Sequence, residues 1–284
     1  MKYEFIHENC ENFKVAKICK VIKASRSGYY NYIKNRDNEN QRKKDLLEAI
    51  KKEWFESNKT YGSPRIYHSL KRKGIKCYKN EVAKLMAENG MKSKICKKYK
   101  ATTNSKHNLP IADNILNRKF NPKKLNEVWA SDITYIPTEE GWLYLAVVMD
   151  LCNREIIGFS LAKHMRKELV IQALNQAIIR RNAPTGVLHH SDRGVQYASY
   201  DYQNLLTENQ FICSMSRKGN CFDNAVVESF NGTLKQDLVN SRKYKTREEA
   251  KLSIFEYIET KYNRTRIHST LGYLTPIEYA EKVA

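Results

Sequence analysis

The sequence has no C-x-x-C pair. Its seven cysteines are scattered and odd in number, which argues against a disulfide framework. They fit a reducing compartment in which thiols serve as small hydrophobes. Long apolar runs are missing as well. The longest clean stretch, 142–149, falls far short of the roughly 18 to 20 residues that a membrane helix needs. The opening Met1-Lys2-Tyr3-Glu4-Phe5-Ile6-His7-Glu8 lacks an apolar core, so no secretory signal is read. The expected location is the cytoplasm, without a membrane partner. Sustained heptads are absent too, so no leucine zipper is expected within this chain.

What is present is a globular chain of 284 residues, 41% of them hydrophobic, with a formal net charge of +19. That length allows one large domain or two ordinary ones. The charge is unevenly spread. Residues 1–126 hold 31 Lys/Arg and 12 Asp/Glu, whereas residues 127–284 hold 19 of each. All the excess therefore lies in the first part. A polyanion, most simply nucleic acid, is the partner such asymmetry suggests. The alternative is a lysine-rich soluble surface with no partner.

The first part reads as helices and basic connectors. Apolar spacing predicts helices over 13–23 and 43–55, with a short resumption at 29–33. Ser63 is a candidate N-cap and Pro64 suits the first helical position, for a helix running to about Lys73. Gly74 stops it. Asn80 is a candidate cap for a further helix ending at Gly90. Two short helices joined at 74–78 suggest a helix-turn-helix. Lys79, Lys84, Lys92, Lys94, Lys97, Lys98 and Lys100 lie in or just after its second helix. Arg65, Arg72 and Lys84 are candidate phosphate contacts. The competing reading is a helical hairpin that binds nothing. Residues 101–124 are polar, contain Pro110 and Pro122, and read as a linker.

At Glu127 the pattern changes. Strands are predicted over 128–137, 142–151 and 155–162, forming a meander. A helix over 167–181, a strand over 187–191, a helix over 200–209 and a strand over 211–216 follow. Helices over 223–240 and 246–263 come next, and Thr275 to Glu278 open a last one with a capping box. This order describes a mixed α/β sheet with helices on both faces, in which the fourth strand can lie beside the first. The divisions are 1–58 (helical), 59–100 (helix-turn-helix-like), 101–124 (linker), 125–240 (α/β core) and 241–284 (helical extension).

Three acids stand out. Asp132 sits inside the otherwise apolar strand Val128-Trp129-Ala130-Ser131-Asp132-Ile133-Thr134-Tyr135-Ile136, where a charge is costly unless compensated. Asp192 ends the fourth strand, where α/β sheets gather their ligand groups. Glu228 shares a helical stripe with Asn231, Gly232 and Lys235, beside the apolar stripe of Val226, Val227, Phe230, Leu234 and Leu238. Three converging carboxylates suit two hard cations, Mg²⁺ or Mn²⁺, able to drive in-line displacement at phosphorus. Asp150 also ends a strand and reads as a structural turn residue. His189 and His190 point to opposite faces of a strand, so they cannot both serve one ion. A packing or orienting role suits His190. Arg217-Lys218-Gly219-Asn220 forms a loop beside the site, open to either DNA contact or plain solvation.

Asp132 and Asp192 lie 60 positions apart, and Glu228 follows 36 further on. With Trp129-Ala130-Ser131-Asp132-Ile133-Thr134-Tyr135, His190-Ser191-Asp192-Arg193-Gly194-Val195-Gln196-Tyr197, the run Ser214 to Ala225, and Glu228-Ser229-Phe230-Asn231-Gly232-Thr233-Leu234-Lys235, the chain resembles a known family. So do Tyr262-Asn263-Arg264, His268 and Leu271-Gly272-Tyr273. The family is the DDE transposases of the retroviral-integrase superfamily, in the insertion-sequence group whose enzyme spans two reading frames. The chain is similar to its second-frame product from about Tyr61 onward. The resemblance implies a ribonuclease-H-like five-stranded core with two Mg²⁺ (or Mn²⁺) ions held by Asp132, Asp192 and Glu228. It implies nicking of DNA at the element's ends, followed by attack of the freed 3′-hydroxyl on another phosphodiester, with no nucleotide cofactor. Lys235 would contact DNA near the cut, and Asn231, Lys218 and Arg217 are further candidates. A bacterial, nucleoid-associated homo-oligomer is implied. So is fusion to, or association with, an upstream-frame protein that supplies another helix-turn-helix and a zipper. Two rivals are a related nuclease that cuts without joining, and a non-catalytic DNA-binding copy.

Overall fold

The computed structural model describes residues 1–94 and 109–284 except Gly219. The expected cations Lys97, Lys98 and Lys100, and the first part of the expected linker, lie outside them. The chain divides into two compact units, Met1–Ser93 and Lys94–Ala284.

The first unit is all helix: α1 (Lys2–Asn9), α2 (Val15–Val21), α3 (Arg26–Glu56), α4 (Ser63–Arg72) and α5 (Lys79–Glu88). The break expected inside α3 does not exist. Ser25 caps the helix by accepting the Gly28 N–H at 3.2 Å, and 31 residues run on without interruption. The middle stretch is polar on every side and exposed, so it has no apolar period by which to show itself. Tyr29 near one end packs with Ile6, Ile18 and Cys19 of α1 and α2. Toward the other end, Leu46 and Ile50 are buried where α3 meets α4 and α5. Gly62, not Ser63, is the cap of α4, with Pro64 in its first turn. α5 starts one residue before Asn80, and the Glu81 carboxylate accepts the backbone N–H of Tyr78 at 3.4 Å. Gly74 and Gly90 adopt φ of +77° and +65°, the left-handed stop that glycine makes at little cost.

The second unit is built on a five-stranded sheet. Its strands are β1 (Val128–Thr138), β2 (Gly141–Asp150), β3 (Ile156–Ala162), β4 (Leu188–Ser191) and β5 (Ile212–Met215), in the order β3-β2-β1-β4-β5. The first three form the expected antiparallel meander. β4 pairs parallel with β1 and β5 parallel with β4. Helices α6 (Lys167–Arg180) and α7 (Tyr200–Glu208) cover one face, over Trp129, Ile133 and Val148. Helices α8 (Ala225–Asp237) and α9 (Arg247–Glu256) cover the other, over Val128, Ala130, Ile136 and Val147. β1 is thus apolar on both sides, as a central strand must be.

The long helices of the second half are shorter than expected. A 3₁₀ turn, Cys221–Asn224, precedes α8, and another, Val239–Ser241, follows it. Beyond α9 the chain continues as a π-helix, Tyr257–Tyr262, and α10 (Pro276–Val283) begins with the Thr275/Glu278 capping box. Residues 109–124 pack on this unit. Leu116 is buried, and the N–H groups of Ile115 and Leu116 donate to Ser214 Oγ at 3.0 and 3.2 Å. No helix among the described residues is long and apolar enough to cross a membrane.

β3 meets α6 at Gly158. A Cβ built there lies 2.2 Å from the carbonyl oxygen of Ala173 and 2.8 Å from Ala177 Cβ, so backbone would have to move. Gly158→Ala is expected to cost about 2 to 3 kcal/mol in denaturant unfolding, the scale of overpacking in a closed core. A loss below about 0.5 kcal/mol would show that α6 can slide freely.

Candidate active site

The parallel ladder sets the site. Val128 pairs with Leu188, Trp129 with His189 and Ala130 with His190, a constant offset of 60 positions. The same offset separates Asp132 from Asp192. Two residues beyond the last paired position, the two aspartates therefore fall level at the carboxyl end of β4. Even-numbered residues of β1 such as Val128 and Ala130 face α8 and α9. Asp132 shares that parity. Glu228 stands in the first turn of α8, where the helix's positive end favours a carboxylate.

A direct hydrogen bond joins helix and strand: Asn231 Nδ2 donates to Asp132 Oδ2 at 2.7 Å. Asn231 lies one turn past Glu228. The bond therefore holds the start of α8 over the two aspartates. Asn231 is buried, and its own carbonyl oxygen Oδ1 has no hydrogen-bond partner among the described residues. Asp132, Asp192 and Glu228 are each half-buried.

The acids act on one another. Burial, then the charge of Asp192, then that of Glu228, push the Asp132 carboxyl well above the usual range, against the Ile133 backbone N–H and the Asn231 amide. Burial and the charge of Asp192 raise Glu228. The Gly194 N–H donates to Asp192 Oδ1 at 2.9 Å and turns the chain away from the strand. The acids share one field without touching as a closed cage. Among the described residues, no three His, Cys, Asp or Glu side chains are gathered as a metal cluster.

The histidines and Asp150 beside the acids are engaged within the protein. His189 Nε2 lies 2.9 Å from Ser131 Oγ and 3.1 Å from Tyr202 Oη. His190 bonds Ser214 and Ser216 at 2.9 and 3.1 Å. Burial lowers their pKa values to about 3 and about 4, so both rings are neutral at pH 7. Asp150, level with Trp129 and so three register positions back from Asp132, accepts the backbone N–H groups of Asn126 and Cys152. Lys235 Nζ sits 4.4 Å from the Tyr135 ring centre. The Arg217 guanidinium is bound to Asp223, while Lys218 is exposed on the same loop. In the other unit, Arg65 lies over the Tyr61 ring, Arg72 is exposed, and exposed Lys84 pairs with Glu88 at 3.8 Å.

The sequence matches an integrase core domain at residues 122–221, a second integrase core model at 209–276 and an HTH-like domain at 41–99. It is 42% identical over 266 residues to the 31 kDa protein of insertion element IS600 from Shigella sonnei, covering 93% of this chain and 98% of that one. It is 37% identical over 285 residues to transposase InsF of insertion sequence IS3A from Escherichia coli K12, covering 99% of each. This chain is a member of the IS3-type insertion-sequence transposases. Among solved structures, the HTLV-2 integrase catalytic core domain in complex with magnesium is similar at 18% identity, covering 55% of this chain and 96% of that one, with a TM-score of 0.43.

Two acids of the transposase that sequence reasoning passed over hold α8 in place. Asp223, fully buried, accepts Arg217 Nε and Nη2, the Arg217 backbone N–H, Arg118 Nε and Asn114 Nδ2, all at 2.8 to 3.0 Å. Asp237 accepts Arg266 Nε at 3.0 Å and the Tyr257 hydroxyl at 2.9 Å. Their partners lie up to 109 positions away, so spacing along the chain carries no signal of them. A buried-side acid next to an apolar stripe was the only available hint.

The Arg217 hydrogen bond first, with those of its backbone and Arg118, holds the Asp223 carboxyl well below the usual carboxylate range, against burial. Its pKa is depressed on folding. Its contribution to stability is therefore present above the unfolded value of about 4 and is lost as pH falls through the folded one. Asp223→Asn in the transposase is expected to cost about 2 kcal/mol at pH 7, discounted because both arginines are half-exposed. The difference from the parent should narrow below about pH 4 in urea titrations. A pH-independent difference would mean that lost shape, not lost charge, is responsible.

Proposed function

We propose that this transposase nicks DNA at the ends of its element and transfers the freed 3′-hydroxyl to another phosphodiester. Asp132, Asp192 and Glu228 hold two Mg²⁺ or Mn²⁺ ions. The observation that carries the reading is the 60-position register of β1 and β4, which carried two residues further sets Asp132 beside Asp192, with Glu228 one turn before the Asn231 that bonds Asp132.

The residues fit such ions. All three donors are hard carboxylate oxygens, which Mg²⁺ and Mn²⁺ prefer. The largest charges acting on Asp132 are negative, so a cation relieves the repulsion that raises its pKa. The unpartnered Asn231 carbonyl adds a further oxygen dipole. Held by Asp132, Asp192 and Glu228, such ions would supply the Lewis acidity and positive charge that displacement at phosphorus needs. The protein's own part is positional. Asp132 comes from strand β1, Asp192 from the residue that follows β4, and Glu228 from a helix fastened to β1. Lys235, two turns after Glu228, meets a backbone phosphate near the cut. Arg65, Arg72, Lys84, Lys218 and Arg217 supply further cations, and the basic surplus of residues 1–126 gives the DNA affinity. The setting is the bacterial cytoplasm. Multimerisation is shared with an upstream-frame protein.

Glu228→Gln is expected to lower Mg²⁺-dependent nicking and joining of a labelled oligonucleotide by at least about 100-fold, with DNA affinity little changed. Joining is recognised by products longer than the substrate. Cutting without such products would point to a nuclease, and unchanged rates to a bystander glutamate. Asp132→Asn should be equally inactive yet stabilise the metal-free protein, because it removes a buried, repelled charge.

The sign of the pH effect follows from the raised carboxyls. Their contribution is full below the unfolded value of about 4 and is lost as pH rises through the folded ones. As pH rises from about 4 in chelator, the melting temperature should lose this contribution, and Mg²⁺ should restore it most at the upper end. A melting temperature indifferent to Mg²⁺ across that range would overturn the ion site.

A further inference from the structure

We propose that Trp142, Tyr135 and Lys235 form a stacking platform for one unpaired base of the DNA substrate, with Lys235 meeting the phosphate beside it. The inference rests on the reading that DNA is cut at the three acids, and it adds a binding site beside them.

The geometry begins with an open edge. β4 ends at Ser191, so past the level of Asp132 the β4-side edge of β1 has no strand partner among the described residues until Tyr244 bridges Thr138. Tyr135 lies in that stretch, half-buried. Trp142 comes from β2, paired with Pro137, and reaches Tyr135 as its diagonal neighbour. The two rings meet edge to face, with centres 4.9 Å apart at 84°. Lys235 of α8 places its ammonium 4.4 Å from the Tyr135 ring centre. Tyr135 is thus the hub that fixes a cation and a second ring. Trp142 remains 49% exposed, which is unusual for so large a ring and leaves half its surface for a partner.

Distance from the acids sets the occupant. Tyr135 lies three residues past Asp132 along a strand, about 10 Å. Lys235 lies seven residues past Glu228 along a helix, also about 10 Å. Tyr135 has the opposite strand parity to Asp132, but Lys235, from the helix that carries Glu228, meets its ring at the open edge, so the platform stands about 10 Å from the acids around that edge, a few nucleotides from the reacting phosphate. An exposed ring with a cation beside it is the combination that binds single-stranded nucleic acid, the ring taking any base and the cation its phosphate. A paired base keeps its faces inside the duplex, so the platform selects an unpaired one. Glu140 on the adjoining turn would repel DNA, but its carboxylate is paired with Arg247 at 3.9 Å and accepts the Arg247 backbone N–H at 2.9 Å.

The test uses the full chain in chelator, so that binding is read without chemistry and Glu228 plays no part. The probes are a blunt DNA duplex and the same duplex with a short single-stranded extension carrying 2-aminopurine, whose fluorescence falls when it stacks. The intact protein should quench the extended probe and bind it more tightly than the blunt one. Trp142→Leu, which keeps apolar bulk without a ring, should abolish the quench and weaken binding of the extended probe by about 10-fold, while the blunt probe is unaffected. Trp142→Phe should retain most of the quench, which also excludes a folding defect at that position. Lys235→Gln should weaken both probes and reduce the salt dependence. Equal loss on both probes with Trp142→Leu, or no quench by the intact chain, overturns the platform. Either result leaves the ion-dependent activity of the acids to stand or fall by its own assay.

Discussion

The parallel pairing of β1 with β4 is the constraint on which the second unit depends. It brings Asp132 and Asp192 level, from positions 60 apart, on strands about 5 Å apart. It also creates the main electrostatic difficulty of the fold. A carboxylate inside an apolar strand loses solvation, and a second acid beside it adds repulsion. The surrounding structure must therefore hold these elements firmly enough that they do not move apart. Five strands with helices on both faces supply most of that hold through apolar burial on either side of β1.

α8 is held differently, by polar contacts along its length. Asp223 and its arginines fix the turn before it. Asn224 Nδ2 donates to the Ser131 carbonyl at 3.0 Å, one residue before Asp132. Asn231 bonds Asp132 itself. Asp237, near the end, is tied to Arg266 and Tyr257. Apolar packing alone would allow a helix to slide or rotate by a fraction of a turn. Directional bonds at four levels fix its register, and with it the position of Glu228. The C-terminal segment contributes in the same way: Asn263 bonds both the N–H and the carbonyl of Ile156 at 3.0 Å, closing the end of β3.

The sheet was legible because each of its strands has an apolar period or run bounded by turn residues. β1 to β3 lie within a residue or two of expectation, and the position of β4 beside β1 followed from crossover rules. Glu228, Asn231 and Lys235 were legible as one stripe because a single helix brings them together. α3 was not, because its exposed middle has no apolar side to mark it. Nor was the docking of 109–124, since Leu116, Asn114 and Arg118 stand in a polar stretch and meet partners about 100 positions away, Ser214 and Asp223 among them. Local pattern reports what a segment buries on its own element. It is silent on which distant polar group will meet it.

That distinction bears on the stripe of α8 itself. Its three polar members share a face yet meet three different surroundings. Glu228 turns toward the acids, Asn231 is consumed by Asp132, and Lys235 reaches the Tyr135 ring. Asn231 therefore serves the site by orienting it, and its amide is already committed when DNA arrives. Lys235 differs in kind. A cation over a ring face is held by a weak, broad attraction, on the order of 1 kcal/mol at a partly exposed site. In the proposed complex the ammonium turns to a backbone phosphate while its stem stays against the aromatic pair. One helix thus combines a fixed end, where charge placement cannot vary, with an adaptable end two turns away.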